Sequence, residues 1–125
     1  MSHISLDRLK KALESLKRGY KENPSELERD GLFQRFEFTL ELCWKTSKKV
    51  LLANGIEVDT PKKVIREMGN LNWISDPAKW IDYIEKRNEA SHIYNEETAT
   101  KIFIIIAPFI LDVEELLKTL DLKNK

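Results

Sequence analysis

One stretch of the chain concentrates side chains that handle phosphates and protons: Arg87-Asn88-Glu89-Ala90-Ser91-His92-Ile93-Tyr94. Arginine presents a rigid fork of donors suited to phosphate oxygens. Histidine moves a proton near neutral pH. At roughly 100° per residue the two do not share one face of a straight helix, so they converge only if the helix unwinds at His92. With Ile81 and Ile84 as the buried face of the preceding helix, Asn88 and Ser91 continue that face, and Arg87 lies about 60° to one side. The apolar stripe therefore turns polar over its last two turns. An unsatisfied buried polar group costs about 1–3 kcal/mol, so such a switch marks a lined cleft or an interface. A purely structural account also fits. Arg87 can pair with Glu37, Glu41, Glu85 or Glu89. His92 can cap a helix C-terminus, where the dipole favours a cation, and Tyr94 can sit at the edge of the core.

The elements that must position these residues are all helical by apolar spacing of three and four. A first helix is expected over Ile4 to Glu22, with Leu6, Leu9, Leu13, Leu16 and Tyr20 as its stripe, before the break Asn23-Pro24-Ser25. A second begins between Ser25 and Leu32, its start obscured by Gly31, and ends near Asn54-Gly55. Its core stripe is Phe33, Phe36, Leu40, Cys43 or Trp44, and Val50 or Leu51, widened to a second face by Phe38 and Leu42. Thr60-Pro61 and Asp76-Pro77 are start signals for a short third helix, ending near Gly69-Asn70, and a fourth, ending near His92. Asn95 caps a last helix that opens with Glu96-Glu97, runs to about Leu122 and bends at Pro108. Short connections favour antiparallel neighbours. The expected fold is all-α: one domain over residues 1–125, an up-and-down bundle of four longer helices with a short extra one.

In the last helix, Ile102, Phe103, Ile104, Ile105 and Ile106 are consecutive and point all round the axis. Such a helix needs cover on every side. Either it is central in the monomer, or a second copy or partner covers part of it; a homodimer or complex is the expectation. Trp44, Trp73 and Trp80 can each stack on a base, but Trp44 and Trp80 fall at core spacing, while Trp73, in the loop from Asn70 to Ser75, is the aromatic expected to be exposed for contact. Lys45, Lys48 and Lys49 form a small basic cluster, either a solvated face or a contact for RNA or a nucleotide. No role is expected of His3 near the terminus.

Twenty-one basic and twenty-one acidic residues cancel in 125, so no global field attracts nucleic acid and any RNA contact needs a local patch. Near-zero net charge also eases self-association. Cys43 alone excludes an intrachain disulfide and reads as a small buried hydrophobe, consistent with a reducing cytoplasm. No signal peptide or membrane span is legible. Two distant histidines and one cysteine give no metal-ligand spacing, and no phosphate-cradling glycine loop or other cofactor motif is present.

Arg-x4-His-x-Tyr after a Trp-containing amphipathic turn resembles the HEPN superfamily. Gln34-Arg35-Phe36-Glu37-Phe38-Thr39, then Glu41-Leu42 and Trp44-Lys45, resemble the second helix of its nucleotidyltransferase substrate-binding branch. Thr60-Pro61 to Arg66-Glu67, Trp80-Ile81 and His92 to Thr98-Ala99 follow in that branch's order, so the resemblance spans roughly Gly31 to Phe103. It implies a helical bundle that dimerises, placing motifs from two subunits around one cleft. It further implies metal-independent ribonuclease activity, acting as the toxin of a toxin–antitoxin pair with a minimal nucleotidyltransferase. Carried over by position, Arg87 stabilises phosphate charge and His92 is the general acid or base. Asn88 and Ser91 support them, and Tyr94 accepts AMP from the nucleotidyltransferase. The resemblance equally admits a non-catalytic substrate-binding subunit of a two-component nucleotidyltransferase. A plain helical adaptor is the blandest reading.

Overall fold

Each helix is punctuated by local chemistry. In the computed structural model, which describes residues 3–90 and 95–124, five helices follow one another: α1 (Asp7–Gly19), α2 (Glu26–Ala53), α3 (Pro61–Asn70), α4 (Pro77–Ala90) and α5 (Glu96–Lys123). No strand occurs among the described residues. Ser25 starts α2 with a reciprocal capping box: its hydroxyl accepts the Glu28 N–H at 3.1 Å, and the Glu28 carboxylate accepts the Ser25 N–H at 3.0 Å. This cap resolves the start that Gly31 obscured. Thr60, Asp76 and Asn95 cap α3, α4 and α5 through side-chain oxygens.

Helix α1 is shorter at both ends than its apolar stripe suggests. Ile4 stays outside it because its backbone is held by Asn124, whose amide accepts from the Ile4 N–H at 3.1 Å and donates to its carbonyl at 2.5 Å. At the other end Tyr20 turns extended and stacks on Phe103, with ring centroids 5.9 Å apart. The end of α4 expected near His92 falls outside the described residues.

Helices α1, α2, α4 and α5 pack as an antiparallel bundle, with short α3 against α2 and α4. Leu9, Leu16, Phe36, Val50, Ile65, Met68, Ile102, Ile106, Phe109 and Val113 are fully buried. Phe109 is the aromatic centre. It meets Phe36 of α2 at 4.9 Å and Tyr83 and Trp80 of α4 at 5.0 and 5.9 Å, all edge-on, the favoured ring geometry. The Tyr83 hydroxyl donates to Asp112 of α5 at 2.5 Å. Burial, and then the Asp112 carboxylate, push that phenol well above its ordinary value. Cys43 is buried, and desolvation alone raises its thiol, in keeping with an inert packing role.

Two expectations about aromatics are corrected. Trp73 is buried, not exposed. Asn72 turns back with φ 59°, the Trp73 N–H bonds the Met68 carbonyl at 2.8 Å, and the loop folds the indole onto the core. Phe38, expected on a second core face, is 53% exposed, while Leu42 is buried. In the isoleucine run, Ile102 and Ile106 are fully buried, Phe103 and Ile105 are partly buried against the core, and Ile104 is 64% exposed. The bundle therefore covers most of that helix from within one chain. No described helix is long and apolar enough to cross a membrane.

Phe109→Ala should cost about 3–5 kcal/mol, read by urea unfolding, whereas Ile104→Ala should change monomer stability by less than about 0.5 kcal/mol. The Glu28 carboxyl is held down to about 2 from its ordinary 4.5 by Lys21 and by the Ser25 cap. A pKa depressed on folding stabilises above the unfolded value, and that contribution is lost as pH falls through the folded one. Glu28→Gln should therefore flatten the fall of stability between pH 4.5 and 2, measured by pH-resolved thermal unfolding.

Candidate functional site

The azimuth of α4 is set by its rings. Trp80, Tyr83 and Ile84 are the buried residues ahead of its last turn. At roughly 100° per residue their mean direction lies within about 20° of Arg87. Arg87, not Asn88, therefore continues the core face. Asn88 is exposed and lines the rim. The expectation from Ile81 and Ile84 is corrected because Ile81 is only partly buried, while Trp80 and Tyr83 go inward.

Arg87 emerges where the core ends, in a cleft of 150 Å³ between α2 and α4. Leu40 and Ile84 form its apolar wall, Trp44 one side, and Pro61, the first residue of α3, its far edge. The Arg87 Nη2 lies 3.5 Å from Glu41 Oε2, with both side chains about two-fifths exposed at 40% and 39%. Glu41 is shared. Its other oxygen pairs with Lys45 Nζ at 2.7 Å, and that ammonium lies 5.8 Å from the centroid of the Trp44 ring. The Lys45 hydrogen bond, opposed by partial burial and reinforced by the charges of Lys45 and Arg87, holds the Glu41 carboxyl below its ordinary value. It therefore stays anionic at neutral pH and orients the guanidinium. Exposed pairs of this kind contribute little to stability, about 0–1 kcal/mol. Their effect here is positional.

The arrangement offers one oriented guanidinium beside a half-buried indole, open to solvent. It can bind a phosphate group against a flat ring. Of the residues expected at the site, Arg87 and Asn88 line this cleft; Ser91, His92 and Tyr94 lie outside the described residues. The sequence offers Glu41 as one of four possible partners for Arg87 and Trp44 chiefly as a core residue, and both also fall in the second-helix motif. Both belong to the cleft, and periodicity alone cannot say which carboxylate a neighbouring helix presents. Among the described residues no group of three His, Cys, Asp or Glu side chains could hold a metal ion.

Similar proteins carry the same architecture. Residues 4–122 match the family described as "Nucleotidyltransferase substrate binding protein like". A Haemophilus influenzae protein named "Probable ribonuclease HepT" is 33% identical over 100 residues, 76% of this chain and 68% of its own length. Among solved structures, a protein of Thermus thermophilus superposes with a TM-score of 0.86 at 33% identity, covering 90% of this chain and 98% of that one. A second, from Haemophilus influenzae, is described as revealing the fold of a substrate binding domain of a nucleotidyltransferase. It superposes with a TM-score of 0.80 at 28% identity, over 94% and 99% of the two chains. The chain belongs to the nucleotidyltransferase substrate-binding family, a branch of the HEPN superfamily.

Proposed function

We propose that this protein is a metal-independent ribonuclease, the toxin of a pair whose antitoxin is a minimal nucleotidyltransferase, with Arg87 and His92 as its catalytic residues. The observation that carries the reading is the placement of Arg87. It continues the buried face of α4 into an open cleft and is oriented by Glu41. The name of the Haemophilus influenzae relative, a probable ribonuclease, supports the same chemistry.

In the reaction, the ribose 2′-oxygen loses its proton to a general base and attacks the adjacent phosphorus. The bond from phosphorus to the 5′-oxygen breaks, and a general acid returns a proton to that leaving oxygen. The products are a 2′,3′-cyclic phosphate and a 5′-hydroxyl. Arg87 neutralises charge on the phosphoryl oxygens as the transition state forms. His92 supplies or takes one of the protons. Asn88 and Ser91 orient the phosphate, and a homodimer brings two such sets to one cleft. No step draws on a metal or cofactor.

Tyr94 is the proposed switch. Its phenolic oxygen attacks the α-phosphorus of ATP on the nucleotidyltransferase, pyrophosphate leaves, and the phenol proton passes to solvent or a base. The adenylyl group adds bulk and negative charge two residues from His92, which opposes a polyanionic substrate.

A second reading, a non-catalytic subunit that presents substrate to a nucleotidyltransferase, is favoured by one observation: a carboxylate already stands 3.5 Å from one nitrogen of the Arg87 guanidinium.

Purified protein should cleave mixed cellular RNA in chelator. Arg87→Ala should slow cleavage by about 10²–10³-fold and His92→Ala by about 10²–10⁴-fold, both with unchanged thermal unfolding. Absence of cleavage by folded, unmodified wild type would leave the substrate-presenting role. Incubation with the paired nucleotidyltransferase and ATP should add one adenylyl group by intact mass and silence cleavage, and Tyr94→Phe should accept none.

A further inference from the structure

A larger cavity lies away from Arg87. This groove of 560 Å³ runs between α1 and α2, lined by Arg8, Lys11, Ala12, Ser15, Gly31, Gln34, Arg35 and the exposed ring of Phe38. A second groove of 330 Å³ adjoins it at Arg8. Arg8 lines both, and the second adds Lys45, Lys48 and Lys49 beside Trp44. Trp44 in turn lines the Arg87 cleft. The three depressions are thus joined through shared walls.

Their charge is one-sided. No carboxylate lines either groove. Glu41, which lines the Arg87 cleft, is already paired with Lys45 and Arg87. Among the described residues Arg8, Lys11, Arg35, Lys48 and Lys49, which line the two grooves, form no ion pair. In a chain of zero net charge this is the local basic patch that a polyanion requires.

The ridge of α2 supplies the stacking surfaces. Gln34, Phe38, Glu41, Lys45 and Lys48 follow at spacings of four, three, four and three, so they form one line along the helix. One ring stands among the cations of each groove, exposed Phe38 in the first and partly buried Trp44 in the second; that suits a strand whose bases are unpaired, because every base has a π-face to stack. From Arg35 to Lys49 the line runs about 21 Å at 1.5 Å per residue. The far end is prearranged. Gly19 leaves room for the Arg35 guanidinium, whose Nη1 fills the space a Cβ there would need and donates to the Ser15 carbonyl at 2.8 Å. Nothing lies within 4 Å of an added Cβ at Gly31, so the groove is open there.

We infer that the α1–α2 groove is the track for single-stranded RNA, leading from Arg35 past Arg8, Phe38 and Trp44 to the cleft at Arg87. Its direction toward Arg87 rests on the ribonuclease reading; its binding of RNA does not.

The test uses the full chain and a fluorescent single-stranded RNA of about ten nucleotides, within the usual site size. It is fully 2′-O-methylated, so it cannot be cleaved. Binding is read by anisotropy across a salt series. Arg8→Glu with Lys11→Glu should weaken binding at least about tenfold and flatten the slope of log affinity against log salt by about 1.4, two phosphates' worth. Phe38→Ala should weaken binding about tenfold. Arg66→Glu, on an exposed residue of α3, should leave it unchanged. Circular dichroism confirms that each variant is folded. Equal affinity of the groove variants and wild type overturns the track, whatever the cleavage assay gives. So does a change in their dimerisation by sedimentation without a change in RNA affinity, which would make the groove an interface between copies. Binding that depends on the groove, with no cleavage of unmodified RNA, keeps the track and removes the ribonuclease reading.

Discussion

The packing of three rings against Phe109 is the contact on which the placement of the site depends. Phe36, Trp80 and Tyr83 meet it edge-on from α2 and α4. Interiors packed at crystal-like density leave a helix little freedom to rotate about its axis. Once Trp80, Tyr83 and Ile84 are seated, the next position along that face of α4 is Arg87, one turn beyond Tyr83. No further core remains to receive it there, so the guanidinium reaches out between α2 and α4 toward Glu41. A core contact thereby aims a polar side chain that makes little stability of its own.

Helix α2 serves two solvents. Its inner face, from Phe33 through Phe36, Leu40, Cys43 and Val50, is fully buried. Its outer ridge carries Phe38, Glu41, Lys45 and Lys48 past α1 on one side and α4 on the other. Electrostatics is organised on the same plan. Acidic and basic residues balance over the whole chain. Along the α1–α2 groove, by contrast, Arg8, Lys11 and Arg35 stand with no carboxylate in the lining. A neutral total therefore says little about affinity for a polyanion, since screening limits exposed charges to their neighbours within about 8–10 Å.

What was legible in the sequence was local. The caps at Thr60, Asp76 and Asn95, the core stripes of α1 and α2 and the all-helical bundle follow from hydrogen bonds and periodicities confined to a few residues. What was not legible depended on distant partners. Trp73 sits in a segment that reads as a loop, and its burial needs the reversal at Asn72. Phe38 has the spacing of a core residue, yet α2 is wider than the neighbours that cover it. Ile81 was a poorer guide to the face of α4 than the rings beside it, so Asn88 and Arg87 exchange their expected positions. The Glu41 partner and the shared walls of Arg8 and Trp44 arise only when helices meet.

Arg87, aimed by the core into an open cleft, is the group that we propose meets the phosphate. The most direct measurement is the side-chain Nε–Hε resonance of Arg87 in a nitrogen-15 spectrum, assigned by its loss in Arg87→Lys and followed as uncleavable single-stranded RNA is added. The Arg87 signal should move with saturation while that of Arg66 stays in place. A stationary Arg87 signal at saturating RNA would contradict that role.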